Sequence, residues 1–297
     1  MFRYFEKQAA LLVLGIAPGL LGRKAVTARN RIQAALKEYY AAGLDQVDDV
    51  STHIKNRAAA KRKMGIKVED IATADFDITW LSVTNTIPTM VWFFLNLFSR
   101  PADLERFRGE VLDVVSIEGN KAIIDAKKLE KQPFISAYFH EVLRFYAIFR
   151  FNRHVAEDTL LRDADGREYL LKKGADVEWF AGNMHWNQDI WGDSAHQFNP
   201  ERFMSGSTED EKKKRTGMTP FSAGKYMCPG RLFATVEILS VMAALALAFD
   251  FDGLSLPEKS VSQGAAAMSW PQWGKGSPRV KIKRRKSWGN VELEFAV

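Results

Sequence analysis

Residues 220–234 read PFSAGKYMCPGRLFA and contain Cys228, the only cysteine in a chain of 297 residues. The pattern is F-x-x-G-x-x-x-C-x-G, and the apolar stretch 232–251 that follows predicts a long helix. Backbone N–H groups and the positive end of the helix dipole would stabilise a thiolate at Cys228. A lone cysteine is most often a small buried hydrophobic residue, but this spacing in front of a helix favours a metal-binding thiolate.

The neighbours of Cys228 have residue types suited to a flat, apolar ligand. Gly224 is predicted to make the tight turn of the loop, and Gly230 to let the backbone pass close to the ligand. Phe221 is expected to pack against the macrocycle and to shield the sulfur. Thiolate ligation of haem donates electron density to the iron and favours O–O cleavage. The stretch therefore predicts a haem centre with Cys228 as the axial ligand.

The composition of the chain limits the other kinds of site and partner that it could have. The sequence is 46% hydrophobic, enough to bury a substantial core, and a single cysteine excludes an intrachain disulfide framework. The formal charge is +6, with basic runs at 55–67, 212–215 and 281–286. Solvated helix and loop faces explain such runs, with an acidic partner or an anionic membrane surface as the functional alternative. No nucleic-acid partner is expected, because no basic–aromatic binding motif accompanies the charge.

Residues 78–99 (ITWLSVTNTIPTMVWFFLNLFS) carry no charge over a length that could span a membrane. Polar Ser82, Asn85 and Thr86 recur at three- and four-residue intervals and so lie near one face of a helix. This stripe favours a core helix that lines a cavity over a lipid-exposed helix. Pro88 lacks a backbone N–H and is predicted to open the helix one turn earlier.

The remaining patterns predict mostly helices. Periodic apolar residues predict helices at 25–40, at 101–115 and within 131–149. Alternating residues and turns predict a hairpin within 159–176, and the tail contains a basic strand. The basic run 55–67 is predicted to be a connecting region. Apolar residues 9–22 indicate an amphipathic or buried segment, because they are too short for a membrane span and lack a signal-peptide cleavage site.

Together with further motifs, the cysteine loop resembles that of the cytochrome P-450 family. EVLR at 141–144 fits the family's E-x-x-R, whose two charges lie on one helix face. FNPERF at 198–203 supplies Arg202, which in the family completes a three-charge cluster with Glu141 and Arg144. The resemblance implies that this cluster is structural and supports the cysteine loop.

The resemblance also implies roles around the haem. Arg153 matches the family's basic residue that contacts a propionate, and Tyr226 stands where the family usually has Arg or His. Thr86 keeps the hydroxyl that is expected to hold oxygen and a delivery water. Asn85 replaces the family's acid, so direct proton donation from that side chain is lost. Thr86 and Asn85 are the predicted catalytic residues.

The substrate implied by the resemblance is a hydrophobic small molecule. The string NTIP at 85–88 resembles the sterol and bile-acid 7α-hydroxylase branch, which is grouped with prostacyclin synthase. A sterol-like, lipid-like or secondary-metabolite-like substrate fits this branch. The candidate substrate-facing residues are Trp80, Ser82, Val83, Ile148 and Asn152, together with 265–269 in the tail.

His185 is predicted to be a structural hydrogen-bonding residue.

The predicted fold is mainly α with small β-sheets, as one haem-binding domain over 1–297. Because no W-x-x-x-R motif occurs upstream of residue 78, we expect a P-450 fold that lacks its N-terminal portion, with apolar patches exposed. No membrane anchor is identified in this sequence. Because the haem cavity of such a fold would be open to water on one side and would lose propionate contacts, we expect the isolated chain to be an inefficient oxygenase.

The implied activity is that of a monooxygenase, an oxidoreductase that inserts one atom of O2 into its substrate. Its cofactor would be haem b, and its electrons would come from NADPH through a reductase at the endoplasmic reticulum membrane surface. Two alternatives stay open. One is a truncated, catalytically inactive fragment, and the other is an isomerase that uses haem–thiolate chemistry without O2.

Overall fold

A computed structural model describes Phe5, Gln8, Leu12, Leu20 and residues 22–204, 208–261, 267–274, 276 and 278–296. Most of the apolar segment 9–22 lies outside the described residues. Within them the chain is mainly helical with small sheets, which confirms the predicted fold class. It divides into two compact units, one of residues 1–87 with 262–266 and one of 88–261 with 267–297.

The first unit is helical. Its helices are α1 (Arg23–Ala41), α2 (Thr52–Lys63) and α3 (Val68–Leu81), with a 3₁₀ turn at Leu44–Gln46 and a π-helical turn at Ser82–Thr86. Helix α1 packs on α3, as expected from the apolar face of the predicted helix 25–40. The prediction of a connecting region at 55–67 is wrong, because most of that run lies in α2. Ser51 caps this helix by accepting a hydrogen bond from the Ile54 N–H.

Several charges of the basic run pair inside the first unit. The buried carboxylate of Asp75 accepts hydrogen bonds from Lys61 and, at 2.8 Å, from Arg57. The fully buried Asp45 binds Arg62 through two hydrogen bonds of 2.6 and 2.9 Å. Burial without these partners would cost several kcal/mol per ion, so the cations hold α2 and its neighbours in place. Three cations of the run, Arg57, Lys61 and Arg62, therefore have partners inside this unit.

The second unit has helices of very different lengths. In chain order, the helices from residue 87 onward are α4 (Ile87–Phe98), α5 (Pro101–Leu112), α6 (Ala126–Leu129), α7 (Pro133–Tyr146), α8 (Ala181–His185), α9 (Gln188–Trp191), α10 (Thr208–Gly217) and α11 (Arg231–Ala248). Short 3₁₀ turns occur at Pro200–Phe203, Gly224–Tyr226 and Lys286–Trp288. The predicted helix 101–115 thus ends early, and Val115 begins a strand.

The strands of this unit form small sheets. They are β1 (Val115–Glu118), β2 (Lys121–Asp125), β3 (Arg150–His154), β4 (Thr159–Arg162), β5 (Glu168–Leu171), β6 (Asp176–Phe180), β7 (Phe249–Asp252), β8 (Lys259–Val261), β9 (Trp270–Gln272), β10 (Lys281–Arg284) and β11 (Glu292–Ala296). Strand β2 lies between antiparallel β1 and parallel β11. The pairs β3–β6, β4–β5, β7–β10 and β8–β9 are antiparallel, and β4–β5 is the predicted hairpin.

The end of α11 differs from the prediction for 232–251. Helix α11 stops at Ala248 because Phe249 adopts an extended conformation and begins β7. Strand β7 then pairs with the basic strand β10, in the register Phe249↔Arg284. The apolar run continues through this change of structure, so its hydrophobicity alone could not reveal the boundary.

Two helical runs, Val68–Phe98 and Arg231–Ala248, are long and apolar enough to cross a membrane, and 56% and 50% of their most apolar windows are buried. Core helices of soluble proteins meet the same criterion, so length and composition alone do not distinguish a membrane helix from a core helix. Burial in α4 supports the predicted core role. Phe93 and Leu97 on this helix are completely buried in the core of the second unit.

Aromatic rings from three helices meet in the core of the second unit. The Phe93 ring on α4 lies 5.7 Å from the Phe107 ring on α5 and 5.2 Å from the Tyr138 ring on α7, measured between centroids. Ile238 and Leu239 on α11 belong to the same buried cluster. Such pairs add about 0.5–1.5 kcal/mol beyond the burial of apolar area. The aromatic contacts therefore fix the helices that carry the residues described below.

Removal of the Phe93 ring tests this core. We expect Phe93→Ala to lower the free energy of unfolding by about 3–5 kcal/mol, because a completely buried ring leaves a cavity. Phe233→Ala, at a ring that is 67% exposed, is the matched control and should change it by less than about 1 kcal/mol. Urea unfolding of the haem-free protein measures both values. Equal losses would contradict this assignment of the core.

Candidate haem-binding site

The cysteine loop, residues 219–230, is folded back on itself. The Cys228 N–H donates a hydrogen bond of 2.9 Å to the Phe221 carbonyl, which closes the loop around a 3₁₀ turn at Gly224–Tyr226. Gly224 has a φ of +66°, in the left-handed region that favours glycine, as predicted for the tight turn. Ser222 has a φ of +67° and is the only described residue other than glycine with a positive φ. The loop thus holds an uncommon backbone conformation beside the thiol.

Cys228 lies at the N-terminal end of α11. This helix begins at Arg231 with Gly230 as its N-cap, and the Cys228 carbonyl accepts a hydrogen bond of 3.2 Å from the Arg231 guanidinium. The cysteine side chain is half-buried. Backbone N–H groups of the first turn and the helix dipole favour negative charge at this end. The location therefore suits a thiolate.

Apolar side chains beside the thiol are exposed. Tyr226 is 65% exposed, and Leu232 and Phe233 in the first turn of α11 are 63% and 67% exposed. Phe221 instead is half-buried and packs against the core of the second unit. Large apolar side chains exposed together often mark a binding surface. A bound apolar ligand would cover these side chains.

The two predicted propionate ligands lie next to each other. The Arg153 guanidinium on β3 is 4.9 Å from the centroid of the Tyr226 ring and 4.9 Å from that of Trp179 on β6. It also donates a hydrogen bond of 3.0 Å to the Ser222 hydroxyl. The guanidinium also donates to the carbonyls of Asn152 at 2.8 Å and Ala223 at 3.5 Å. Of its five N–H groups, the Nε–H and one Nη1–H then remain for a carboxylate. Cation and phenol together match the acidic groups of haem.

Buried charges form the predicted cluster behind the loop. Arg144 donates two hydrogen bonds, of 2.7 and 2.8 Å, to the two carboxylate oxygens of Glu141, and both side chains are completely buried. Arg202 adds a third at 3.2 Å, and the Asn199 N–H a fourth at 2.7 Å. A carboxylate with this many donors is well compensated for its burial. The structure thus brings the three sequence-predicted residues together.

The remaining N–H groups of the two arginines bind backbone carbonyls of the segment between α8 and the 3₁₀ turn Pro200–Phe203. Arg144 donates to the carbonyls of His185 at 2.6 Å and Ala195 at 2.8 Å. Arg202 donates to the carbonyls of Ser194 at 2.9 Å and Gln197 at 3.0 Å. The cluster therefore organises an irregular segment that has little regular secondary structure of its own.

His185 is completely buried and uses both ring nitrogens. Its Nδ1 lies 3.3 Å from the Ala147 carbonyl, and its Nε2 accepts a hydrogen bond of 3.1 Å from the Thr219 N–H. Burial lowers the pKa of His185 to about 4. The ring is therefore neutral near pH 7, with the proton on Nδ1, because Nε2 must accept.

The predicted catalytic residues Thr86 and Asn85 belong to the first unit. Both lie in the π-helical turn Ser82–Thr86, directly before Pro88, where the sequence predicts an opened helix. The Asn85 side-chain amide donates a hydrogen bond of 2.9 Å to the Leu81 carbonyl, and Thr86 is buried. Single π-helical turns within α-helices are frequent at functional sites.

The candidate substrate residues have different environments. Trp80 in the first unit stacks edge-on to Phe5 at 5.1 Å, while Ser82 and Val83 are exposed. In the second unit Ile148 is half-buried and Asn152 is exposed on β3.

The tail candidates are only partly described, since residues 265 and 266 lie outside the described residues. Ser269 is buried, and its carbonyl accepts a hydrogen bond of 2.7 Å from the indole N–H of Trp92. Its backbone therefore has a structural role within the second unit.

Sequence reasoning missed Ser222 and Trp179 as neighbours of Arg153. Ser222 stands inside the quoted motif, but its positive φ and its bond to a distant arginine leave no sequence signal. Trp179 faces Phe151 across the β3–β6 pair, so only the register of that pair brings it near Arg153. Both contacts depend on tertiary structure.

Comparison with known proteins identifies the family. A family model described as cytochrome P450 matches residues 7–271, and the chain belongs to this family. It is 32% identical to a cytochrome P450 monooxygenase of Gibberella zeae, over 98% of this chain and 58% of that protein. It is also 26% identical to a rat 25-hydroxycholesterol 7-alpha-hydroxylase, over 71% of this chain and 57% of that protein.

A third relative is the cytochrome P450 monooxygenase nodJ of Hypoxylon pulicicidum, 28% identical over 99% of this chain and 58% of that protein. The chain therefore spans a little under three fifths of the length of these curated relatives.

Loss of the central carboxylate tests the charge cluster. We expect Glu141→Ala to lower the free energy of unfolding by about 3–5 kcal/mol, because it leaves Arg144 and Arg202 buried without their counter-ion. Glu168→Ala removes the partner of Arg162 in an exposed ion pair and should change it by no more than about 1 kcal/mol. Urea unfolding measures both. A small effect at Glu141 would show that the buried pair contributes little.

The lowered pKa of His185 predicts a pH-dependent stability. An unfolded histidine titrates near 6.5 and the folded one near 4, so the unfolded chain binds the extra proton between these values. Wild-type protein should therefore lose about 2–3 kcal/mol more than His185→Gln between about pH 7.5 and about pH 4.5. Urea unfolding at both pH values gives the difference. Parallel losses in the two proteins would rule out a depressed histidine pKa.

Proposed function

We propose that this protein is a haem–thiolate monooxygenase that inserts one atom of O2 into a hydrophobic small molecule. The observation that carries the proposal is the placement of Cys228 at the N-terminal end of α11, beside exposed apolar side chains and the Arg153–Tyr226 pair. This donor set combines a soft ligand for iron, an apolar surface for the porphyrin, and a cation and a phenol for its carboxylates.

Cys228 would bind the iron of haem b, and the bound haem supplies the activation of O2. Arg153 is the charge-assisted donor to a propionate, and Ser222 orients its guanidinium. Tyr226 donates a single hydrogen bond and contributes no charge, so Arg153 carries most of the electrostatic attraction. Gly230 keeps the space beside the sulfur free, because a Cβ there would lie 3.9 Å from Cys228 Sγ. Gly224 adopts the positive φ that the turn requires.

Thr86 and Asn85 are proposed to serve the binding of oxygen and the delivery of protons to it. The Thr86 hydroxyl would hold a water molecule and pass a proton from that water to the oxygen. The Asn85 amide donates to the Leu81 carbonyl and cannot act as an acid, so protons reach the site through the hydroxyl and water. The π-helical turn that contains both residues widens the helix at this point.

The substrate is proposed to be hydrophobic, of sterol, lipid or secondary-metabolite type, with Trp80, Ser82, Val83, Ile148 and Asn152 facing it. Similarity to fungal monooxygenases and to a 25-hydroxycholesterol 7-alpha-hydroxylase supports this class. Electrons would come from NADPH through a flavoprotein reductase, at the endoplasmic reticulum membrane surface.

Asn85 favours one alternative, an isomerase that rearranges a peroxide without O2 or reductant. A site without an acid beside Thr86 suits a reaction that needs no proton delivery to oxygen. Turnover of a lipid peroxide in the absence of NADPH and O2 would support this activity, whereas a requirement for both supports the monooxygenase.

Replacement of the thiolate tests the proposed iron ligand. Haem-loaded wild-type protein, reduced and treated with carbon monoxide, should show the red-shifted Soret band of a thiolate-ligated haem. Cys228→Ser should abolish that band and Cys228→His should replace it with the spectrum of a nitrogen ligand, while Met227→Leu should retain it. A Cys228→Ser protein with an unchanged spectrum would refute the assignment, and a wild type without the band would favour a non-catalytic chain.

A further inference from the structure

One buried side chain connects the charge cluster to the cysteine loop. His185 ends the short helix α8, and its ring lies between two segments that are far apart in sequence. On one side is the Ala147 carbonyl at the end of α7, and on the other is the Thr219 N–H, where the cysteine loop begins. The His185 carbonyl accepts a hydrogen bond of 2.6 Å from Arg144. The residue is thus fixed by the cluster and bonded to the loop.

The bond to Thr219 continues into the loop through the backbone. The Thr219 carbonyl accepts a hydrogen bond of 3.2 Å from the Ser222 N–H, and the Phe221 carbonyl accepts one of 2.9 Å from the Cys228 N–H. The position of Thr219 therefore determines where the turn at Ser222 begins and where Cys228 is held. Without the histidine acceptor, the N–H of the half-buried Thr219 would lose its hydrogen-bond partner.

We propose that His185 is a positioning residue for Cys228, because its Nε2 anchors the first residue of the loop that carries the iron ligand. The inference rests on the proposed function in one respect, which is that Cys228 is the ligand. It goes further by assigning this anchoring to a residue that touches neither haem nor substrate. Its low pKa, about 4, keeps Nε2 free of a proton and able to accept.

The geometry separates the two roles of the ring. The Nδ1 donor lies near the backbone of His185 and holds α7, whereas the Nε2 acceptor lies at the far end and holds the loop. An asparagine places its amide near the position of Nδ1, and a glutamine reaches the position of Nε2 with an oxygen. His185→Gln therefore preserves the loop contact, while His185→Asn loses it and keeps the contact to α7.

The single cysteine makes the effect measurable without haem, because a thiol reagent reports on Cys228 alone. In the haem-free full chain, we expect His185→Asn to react with Ellman's reagent about three- to tenfold faster than wild type, since a lost hydrogen bond frees the loop. His185→Gln should react within about twofold of wild type. Hydrogen exchange at the Thr219 amide should be faster in His185→Asn than in wild type or His185→Gln.

The same variants are then loaded with haem, reduced and treated with carbon monoxide. His185→Asn should show a smaller fraction of the thiolate-ligated band than His185→Gln, at equal haem content. Equal labelling rates and equal spectra for the two variants would overturn the positioning role. So would labelling rates that follow melting temperature alone, since this would indicate a general loss of packing. If wild type gives no thiolate band but labelling still separates Asn from Gln, the proposed function fails and the anchoring by His185 stands.

Discussion

The second unit depends on the burial of one carboxylate. Glu141 accepts hydrogen bonds from Arg144, Arg202 and the Asn199 N–H in a region without solvent access to its side chain. A buried charge in a medium of low dielectric is costly unless it is paired and hydrogen-bonded on every side. The irregular segment 185–202 must therefore adopt the one arrangement that brings its donors and carbonyls to this cluster. Position, more than net stability, is what such a network provides.

Two hydrogen bonds connect the charge cluster to the cysteine loop. Arg144 holds the His185 carbonyl, and the His185 ring holds the Thr219 N–H. Apolar packing contributes separately, because Phe221 packs on the core that contains the aromatic rings of α4, α5 and α7. The thiol of Cys228 is therefore placed by a polar network on one side and by the core on the other. A loop held on both sides in this way has little freedom to rearrange.

The sequence predicts these parts to different extents. Cys228, Glu141 and Arg144 can be predicted because each belongs to a motif whose residues lie within one loop or one helix. The prediction for 55–67 is wrong because α2 has no apolar stripe and is held by ion pairs such as Arg62–Asp45. The end of α11 cannot be predicted from hydrophobicity because Phe249 is as apolar as the helix before it. Partners brought from distant segments, such as Arg153 for Ser222, follow from tertiary structure alone.

The candidate residues around Cys228 form two groups, one held by contacts within the protein and one exposed. Around Cys228, hydrogen bonds and aromatic contacts fix Arg153, Ser222 and Tyr226, while the apolar surface of Leu232 and Phe233 stays exposed. Exposed apolar area is the part of a site whose free energy is realised only when a ligand covers it, at roughly 25 cal/mol per Å². A ligand that covered this surface would gain free energy from it, and the fixed groups would orient that ligand.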